Sequence, residues 1–138
     1  MRLLAVMTKP DLPGFATLGE AWLAMRRALR AADFETADLD ARLLAANLSG
    51  VEPHQLATAG DTPLTATVQE RLAEALKDRL GGMPVHRILG ARDFYGLTLG
   101  LSPATLEPRP DTETLIEAVL PLVRDTVAAK GVCSIVDL

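Results

Sequence analysis

Glu107-Pro108-Arg109-Pro110-Asp111-Thr112-Glu113 is the stretch that decides how the C-terminal part of this chain folds. A proline disfavours the α conformation in the residue before it, so Pro110 should hold Arg109 in an extended conformation. Pro110 also suits the first position of a helix, and Asp111 and Glu113 would place negative charge near the positive end of the helix dipole. The stretch therefore predicts a helix that begins at Pro110 and presents Arg109 at its N-terminus. A well-capped helix explains these residue types, and so does an arginine that is held by the carboxylates of Asp111 and Glu113 and braces a polar pocket.

Apolar residues at helical spacing continue this helix, and Pro121 lies inside the pattern, where it should kink the helix or end it early. After Lys130-Gly131, the apolar run Val132–Leu138 is typical of a buried strand. On the other side of the stretch, Phe94-Tyr95-Gly96 precedes leucines that alternate with small residues. This pattern predicts a β-hairpin or two short strands.

Three amphipathic helices are predicted before the hairpin, over about 18–32, 36–50 and 66–80, because apolar residues recur there at spacings of three and four. Thr17, Thr36 and Thr65 stand where N-cap residues belong, and Thr17 and Glu20 have the spacing of a capping box. Short loops between the helices predict a small bundle. The apolar side chains expected to face its core include Leu29, Leu39, Leu43, Leu44, Leu72 and Leu76.

Composition excludes several classes of protein. The chain has 138 residues, a net charge of −4 and one cysteine, Cys133, so it has no intrachain disulfide and fits a reducing cytoplasm. The negative charge argues against a strongly basic nucleic-acid-binding surface. No apolar run approaches the roughly 20 residues that span a bilayer. His54 and His86 have no neighbours at metal-ligand spacing, so no metal site is predicted.

Taken together, these segments resemble the family of methyltransferases (HemK-type) that modify the N5 atom of a glutamine in peptide chain release factors. The helical part, with Leu39–Leu44, looks like the N-terminal helical domain of that family. Two residues depart from the family's pattern. Arg87 stands where an aromatic residue or histidine is usual, and Glu107 stands where an apolar residue is usual. The motifs that carry the resemblance, in the family's order, are Met83-Pro84-Val85, Ile88-Leu89-Gly90, Phe94-Tyr95-Gly96-Leu97, Pro108–Leu115 and Ser134-Ile135-Val136-Asp137-Leu138.

The resemblance implies a mainly α fold: an N-terminal helical bundle, then a β-hairpin, then the first helix and strand of a truncated Rossmann-like α/β methyltransferase domain. The expected organisation is a leader at 1–14, a helical substrate-recognition domain at 15–82, a connecting β-hairpin at 83–103 and the start of the methyltransferase domain at 104–138.

For the whole enzyme, the resemblance implies that S-adenosyl-L-methionine donates a methyl group to the glutamine of a Gly-Gly-Gln loop in a release factor. The helical domain would recognise the release factor in the cytoplasm, without a membrane or direct nucleic-acid contact. In the family the cofactor motif continues beyond Leu138 into a Gly-rich loop, so we expect this chain alone to be inactive and to bind no cofactor.

The resemblance also assigns candidate site residues. Asp137 and Leu138 would begin the cofactor motif, while no catalytic residue is expected among the 138. An alternative hypothesis is a freestanding, non-catalytic helical protein-binding module, which the gene sequence downstream would distinguish from the enzyme. The residues expected to brace the pocket are Phe94, Arg109, Pro110, Thr112 and Glu113.

Overall fold

The computed structural model describes residues 14–136, which form two compact units that divide between Gly90 and Ala91. Most of the predicted leader, 1–13, and the predicted cofactor residues Asp137 and Leu138 lie outside the described residues. The mainly α fold with one hairpin is confirmed. The described elements are α1 (Leu18–Ala31), α2 (Ala37–Ser49), α3 (Ala66–Leu80), α4 (Val85–Leu89), β1 (Ala91–Phe94), β2 (Leu97–Gly100) and α5 (Pro110–Lys130).

Two sets of hydrogen bonds hold the start of α1, one within the helix terminus and one to a neighbouring loop. Thr17 and Glu20 form the capping box that their spacing predicts, in which each side chain accepts a hydrogen bond from the other residue's backbone N–H. Gly19 donates its N–H to the carbonyl of Gly60 at 2.9 Å. A Cβ atom at Gly19 would lie 3.0 Å from that oxygen, so the close approach of helix and loop depends on glycine.

The core of the first unit lies between α1, α2 and α3, with α4 packed against it. Four of the leucines predicted to face this core are at most 1% exposed, and Leu43 is half-buried beside them. The bundle prediction is therefore confirmed for residues taken from all three helices. The four fully buried leucines are Leu29, Leu44, Leu72 and Leu76.

The buried face of α2 differs from the predicted one. Leu39 is 52% exposed, so its placement in the core was wrong. Small side chains form most of this face, because alanines let the neighbouring helices approach closely, and Leu39 is turned away from it. The buried residues of α2 are Ala37, Asp40, Ala41, Leu44, Ala45 and Ala46.

The second unit begins with the predicted hairpin, which is confirmed. Phe94 pairs with Leu97 at the end of the antiparallel ladder. Tyr95 and Gly96 connect the strands with φ of 48° and 76°, the signs that a type I′ turn requires. The hairpin occupies only 91–100 of the segment 83–103; residues 85–89 form α4, which belongs to the first unit.

Helix α5 begins at Pro110 as predicted, and Arg109 before it is extended, with φ −100° and ψ 144°. Of the two outcomes expected at Pro121, a kink or an early end, the early end was wrong, because the helix continues to Lys130. Pro121 lacks the N–H that would bond the carbonyl of Glu117. Both residues are exposed, so water can satisfy that carbonyl.

The buried strand predicted for Val132–Leu138 was wrong over the part that the structure describes. Residues 132–136 form no strand, and Val132, Ile135 and Val136 are 66–76% exposed. A strand needs a neighbour to pair its backbone N–H and C=O groups, and no described segment lies beside this one in a sheet. Within residues 14–136, no helix is both long and apolar enough to cross a membrane.

Candidate functional site

The five residues predicted to brace a pocket lie close together along the second unit. Phe94 ends β1 and is half-buried. Arg109 is the N-cap of α5, Pro110 is its first residue, and Thr112 and Glu113 follow in its first turn. Of the α5 group, only Glu113 is half-buried, and it is also the residue that the structure joins to the hairpin.

Glu113 holds the turn of the hairpin. Its Oε1 accepts the backbone N–H of Tyr95 at 2.7 Å. A non-glycine residue at positive φ is uncommon, and Tyr95 adopts φ 48°. A carboxylate acceptor gives a stronger hydrogen bond than a neutral one. Glu113 therefore joins the first turn of α5 to the most constrained point of the hairpin.

Glu107 makes a second connection on the other side of the Pro-Arg-Pro segment. It forms an ion pair with Arg92 of β1, and each of the two side chains is 22% exposed. The pair is mostly shielded from water, so screening weakens it less than a surface pair. The family's pattern leads to an apolar residue at this position, and in this chain Glu107 forms an ion pair instead.

Arg109 lies between these two connections. Among residues 14–136 no carboxylate forms an ion pair with it, so the expectation that Asp111 and Glu113 hold this arginine was wrong. Its guanidinium is exposed. It is presented on backbone that two prolines restrict. Such a group can donate hydrogen bonds to a carbonyl, a carboxylate or a phosphate.

The first unit contains a buried polar cluster that sequence reasoning missed. The Nε of Arg79 donates to Oδ2 of Asp40 at 2.8 Å, and the side chains are 15% and 8% exposed. The hydroxyl of Thr36 donates to the same oxygen at 2.8 Å. Arg79 also donates to the carbonyl of Met83 at 3.3 Å and lies 4.2 Å above the ring of Phe34.

This cluster corrects the expectation that Thr36 caps α2. Thr36 makes no capping hydrogen bond, because its backbone is not extended, with φ −96° and ψ 16°, and its hydroxyl serves Asp40 instead. One signal was present in the sequence: Asp40 precedes Leu44 by one helical turn, so it stands on the same face. A carboxylate on a buried face needs a partner.

A shallow cavity of about 440 Å³ lies beside this cluster, between the end of α1 and the start of α2. Asp38 on its rim pairs with Arg30 and, at 3.8 Å, with Arg26. The lining of the cavity comprises Arg30, Phe34, Glu35, Thr36, Ala37, Asp38 and Leu39.

No group of three or more His, Cys, Asp or Glu side chains is placed to hold a metal ion within the part of the chain that the structure describes. Arg109 and its neighbours offer hydrogen bonding and charge pairing, and the cavity of the helical unit offers apolar and polar contacts.

Comparison with known proteins gives consistent similarities. Residues 20–90 match the protein family described as the PrmC N-terminal domain. A release factor glutamine methyltransferase of Agrobacterium fabrum is 42% identical over 125 residues, which are 91% of this chain and 43% of that protein. One from Bradyrhizobium diazoefficiens is 44% identical over 102 residues, 74% of this chain and 34% of that protein. The chain thus spans about two fifths of the length of these relatives or less.

Proposed function

The chain belongs to the PrmC N-terminal domain family, and from this premise we propose that it is the release-factor-recognition part, and the beginning of the catalytic part, of a release factor glutamine methyltransferase. One observation carries the proposal: similarity to the Agrobacterium fabrum enzyme covers 91% of the chain. It therefore extends beyond the helical unit into the hairpin and α5. A freestanding helical binding module would not need that second unit.

The two units have separate tasks in this proposal. The helical unit docks the release factor, for which a core of closely packed helices provides a rigid support. Its cavity beside Phe34 and Leu39 is a suitable place for an apolar side chain of the partner. The reaction belongs to the cytoplasm, where release factors act. It requires neither a membrane nor direct contact with nucleic acid.

The proposed reaction transfers a methyl group from S-adenosyl-L-methionine to the side-chain nitrogen of a glutamine in a Gly-Gly-Gln loop. An amide nitrogen is a weak nucleophile because its lone pair is delocalised into the carbonyl. Catalysis therefore depends on placing that nitrogen in line with the methyl group. Side chains that set the shape and position of the glutamine pocket consequently matter as much as any proton transfer.

The residues proposed to brace that pocket are on the second unit. Phe94 offers an apolar wall, and Arg109 offers hydrogen-bond donors on restricted backbone. Pro110, Thr112 and Glu113 hold the start of α5 to which Arg109 is attached. Asp137 and Leu138 are proposed to begin the cofactor motif.

The 138-residue chain alone is proposed to be inactive and to bind no cofactor. Support for this part of the proposal comes from burial: α5 has no buried residue, and Val132, Ile135 and Val136 are largely exposed. Calorimetry with S-adenosyl-L-methionine should show no saturable binding. A dissociation constant in the micromolar range, about −8 kcal/mol, would contradict this part of the proposal.

A chimeric enzyme tests the function itself. In it, this chain replaces the matching part of the Agrobacterium fabrum methyltransferase. Incubation with S-adenosyl-L-methionine and a bacterial release factor, followed by mass spectrometry of the Gly-Gly-Gln peptide, should show one added methyl group. A folded chimera that binds cofactor but leaves the glutamine unmethylated would refute the proposal.

A further inference from the structure

We infer that Glu107 and Glu113 are positioning residues that lock the hairpin onto the start of α5. Two contacts together form what we call the hairpin clasp: the Arg92–Glu107 ion pair and the hydrogen bond from the N–H of Tyr95 to Glu113. The contacts themselves are a property of the fold. Their use in holding a glutamine pocket rests on the proposed function.

The clasp has two points of attachment, one on each side of Pro108-Arg109-Pro110. Glu107 precedes this segment and is attached to the first strand, while Glu113 follows it and is attached to the turn. Two separated attachments prevent a rotation that a single one would allow. The prolines remove most of the backbone freedom between the attachments.

The hairpin needs such support because it has little of its own. Its two strands are four residues each, and an isolated two-stranded hairpin is marginally stable in water. Neither strand has a fully buried residue. The position of Phe94 at the end of β1 consequently depends on contacts outside the strand ladder, and the clasp supplies them on both sides of that residue.

The clasp also determines which charges remain available. Glu113 lies four residues after Arg109, within reach of it around the first helical turn. In the structure the carboxylate is instead turned to the amide of Tyr95. Glu113 therefore forms no ion pair with Arg109, whose exposed guanidinium can donate hydrogen bonds to a bound group.

Amide hydrogen exchange in the 138-residue chain, followed by nuclear magnetic resonance, tests whether the clasp exists. In Glu113→Ala the amide of Tyr95 should exchange about tenfold faster and its proton resonance should move upfield, because a hydrogen bond to a charged group is lost. Glu113→Gln keeps an oxygen acceptor and should lie between these values. Glu117→Ala, an exposed carboxylate on the same helix, is the matched control and should change neither quantity. Equal exchange in the wild type and Glu113→Ala would overturn the inference.

The ion pair is tested by reversal. Glu107→Arg alone should accelerate exchange of the hairpin amides by placing two cations together. Combining it with Arg92→Glu should restore the slow exchange. Failure of the double variant to recover, with both variants folded by circular dichroism, would show that the pair does not hold the hairpin.

The positioning role is tested separately in the chimeric enzyme. Glu113→Ala should lower kcat about tenfold or more while the KM for release factor changes less than twofold, since docking belongs to the helical unit. If Glu113→Ala accelerates exchange of the Tyr95 amide but leaves kcat unchanged, the positioning role is overturned. If the unmutated chimera shows no methyl transfer, the proposed function fails, and the exchange experiments still decide whether the clasp exists.

Discussion

Removal of the Asp40 carboxylate is the change that most sharply tests the packing of the helical unit. Asp40→Ala deletes the acceptor shared by Arg79 and Thr36 and leaves a guanidinium that is 15% exposed without its counter-ion. Asp38→Ala is the matched control. Asp38 lies on the same helical turn and also pairs with an arginine, but its side chain is 56% exposed.

The structure sets the expected magnitudes. Breaking a fully buried pair on one side costs about 3–5 kcal/mol. Arg79 keeps the carbonyl of Met83 and the ring of Phe34 and retains some access to water, so about 2–4 kcal/mol is expected for Asp40→Ala. An exposed pair contributes about 0–1 kcal/mol, which is the expectation for Asp38→Ala. Both aspartates lie in the first turn of α2, so their effects on the helix dipole cancel in the comparison.

Urea titration followed by the fluorescence of Trp22 measures both variants. Trp22 is the single tryptophan, and it lies half-buried in α1. With a slope near 2 kcal/mol per molar urea, the midpoint for Asp40→Ala should fall by about 1–2 M. If the two variants differ by less than about 0.5 kcal/mol, the cluster does not stabilise the unit as argued.

Three further predictions use other parts of the chain. Leu44→Ala should cost about 2–5 kcal/mol in the same titration, because Leu44 is fully buried, whereas exposed Leu39→Ala should cost less than about 1 kcal/mol; equal effects would show that the assignment of the α2 faces is wrong. Gly19→Ala should lower the unfolding midpoint, because moving the backbone of Gly60 away from the new Cβ costs about 1–3 kcal/mol, whereas alanine gains less here, at the second residue of α1, than the roughly 1 kcal/mol of a helix interior; an unchanged or higher midpoint would refute the close approach. In the chimeric enzyme, Arg109→Ala should weaken cofactor or substrate binding more than it slows single-turnover methyl transfer, and a thousandfold loss of rate at unchanged affinities would instead place Arg109 in the transition state.

Local features of the fold were predictable from the sequence because they depend on neighbouring residues. The Thr17–Glu20 capping box, the helix start at Pro110 and the turn at Gly96 each follow from backbone preferences within a few residues. Leu29 and Leu72 were placed in the core correctly because large apolar side chains mark the buried faces of α1 and α3.

The features that the sequence did not predict depend on contacts between residues far apart in the chain, or on helix faces built of small side chains. Asp40 and Arg79 are 39 positions apart, and Arg92 and Glu107 are 15 apart, so no local pattern pairs them. The buried face of α2 is mostly alanine. A prediction based on large apolar side chains therefore placed Leu39 on the buried face, although it is exposed. Apolar character alone also predicted a strand where the structure describes no pairing partner.

The central claim is that this chain recognises a release factor, and direct binding tests it most simply. The 138-residue chain is titrated into a bacterial peptide chain release factor in a calorimeter, with the Agrobacterium fabrum methyltransferase as the positive control. We expect saturable one-to-one binding of the chain to the release factor, with a dissociation constant in the micromolar range, about −8 kcal/mol. No saturable heat at roughly 100-fold higher concentration, about −5.5 kcal/mol, while the control binds, would contradict it.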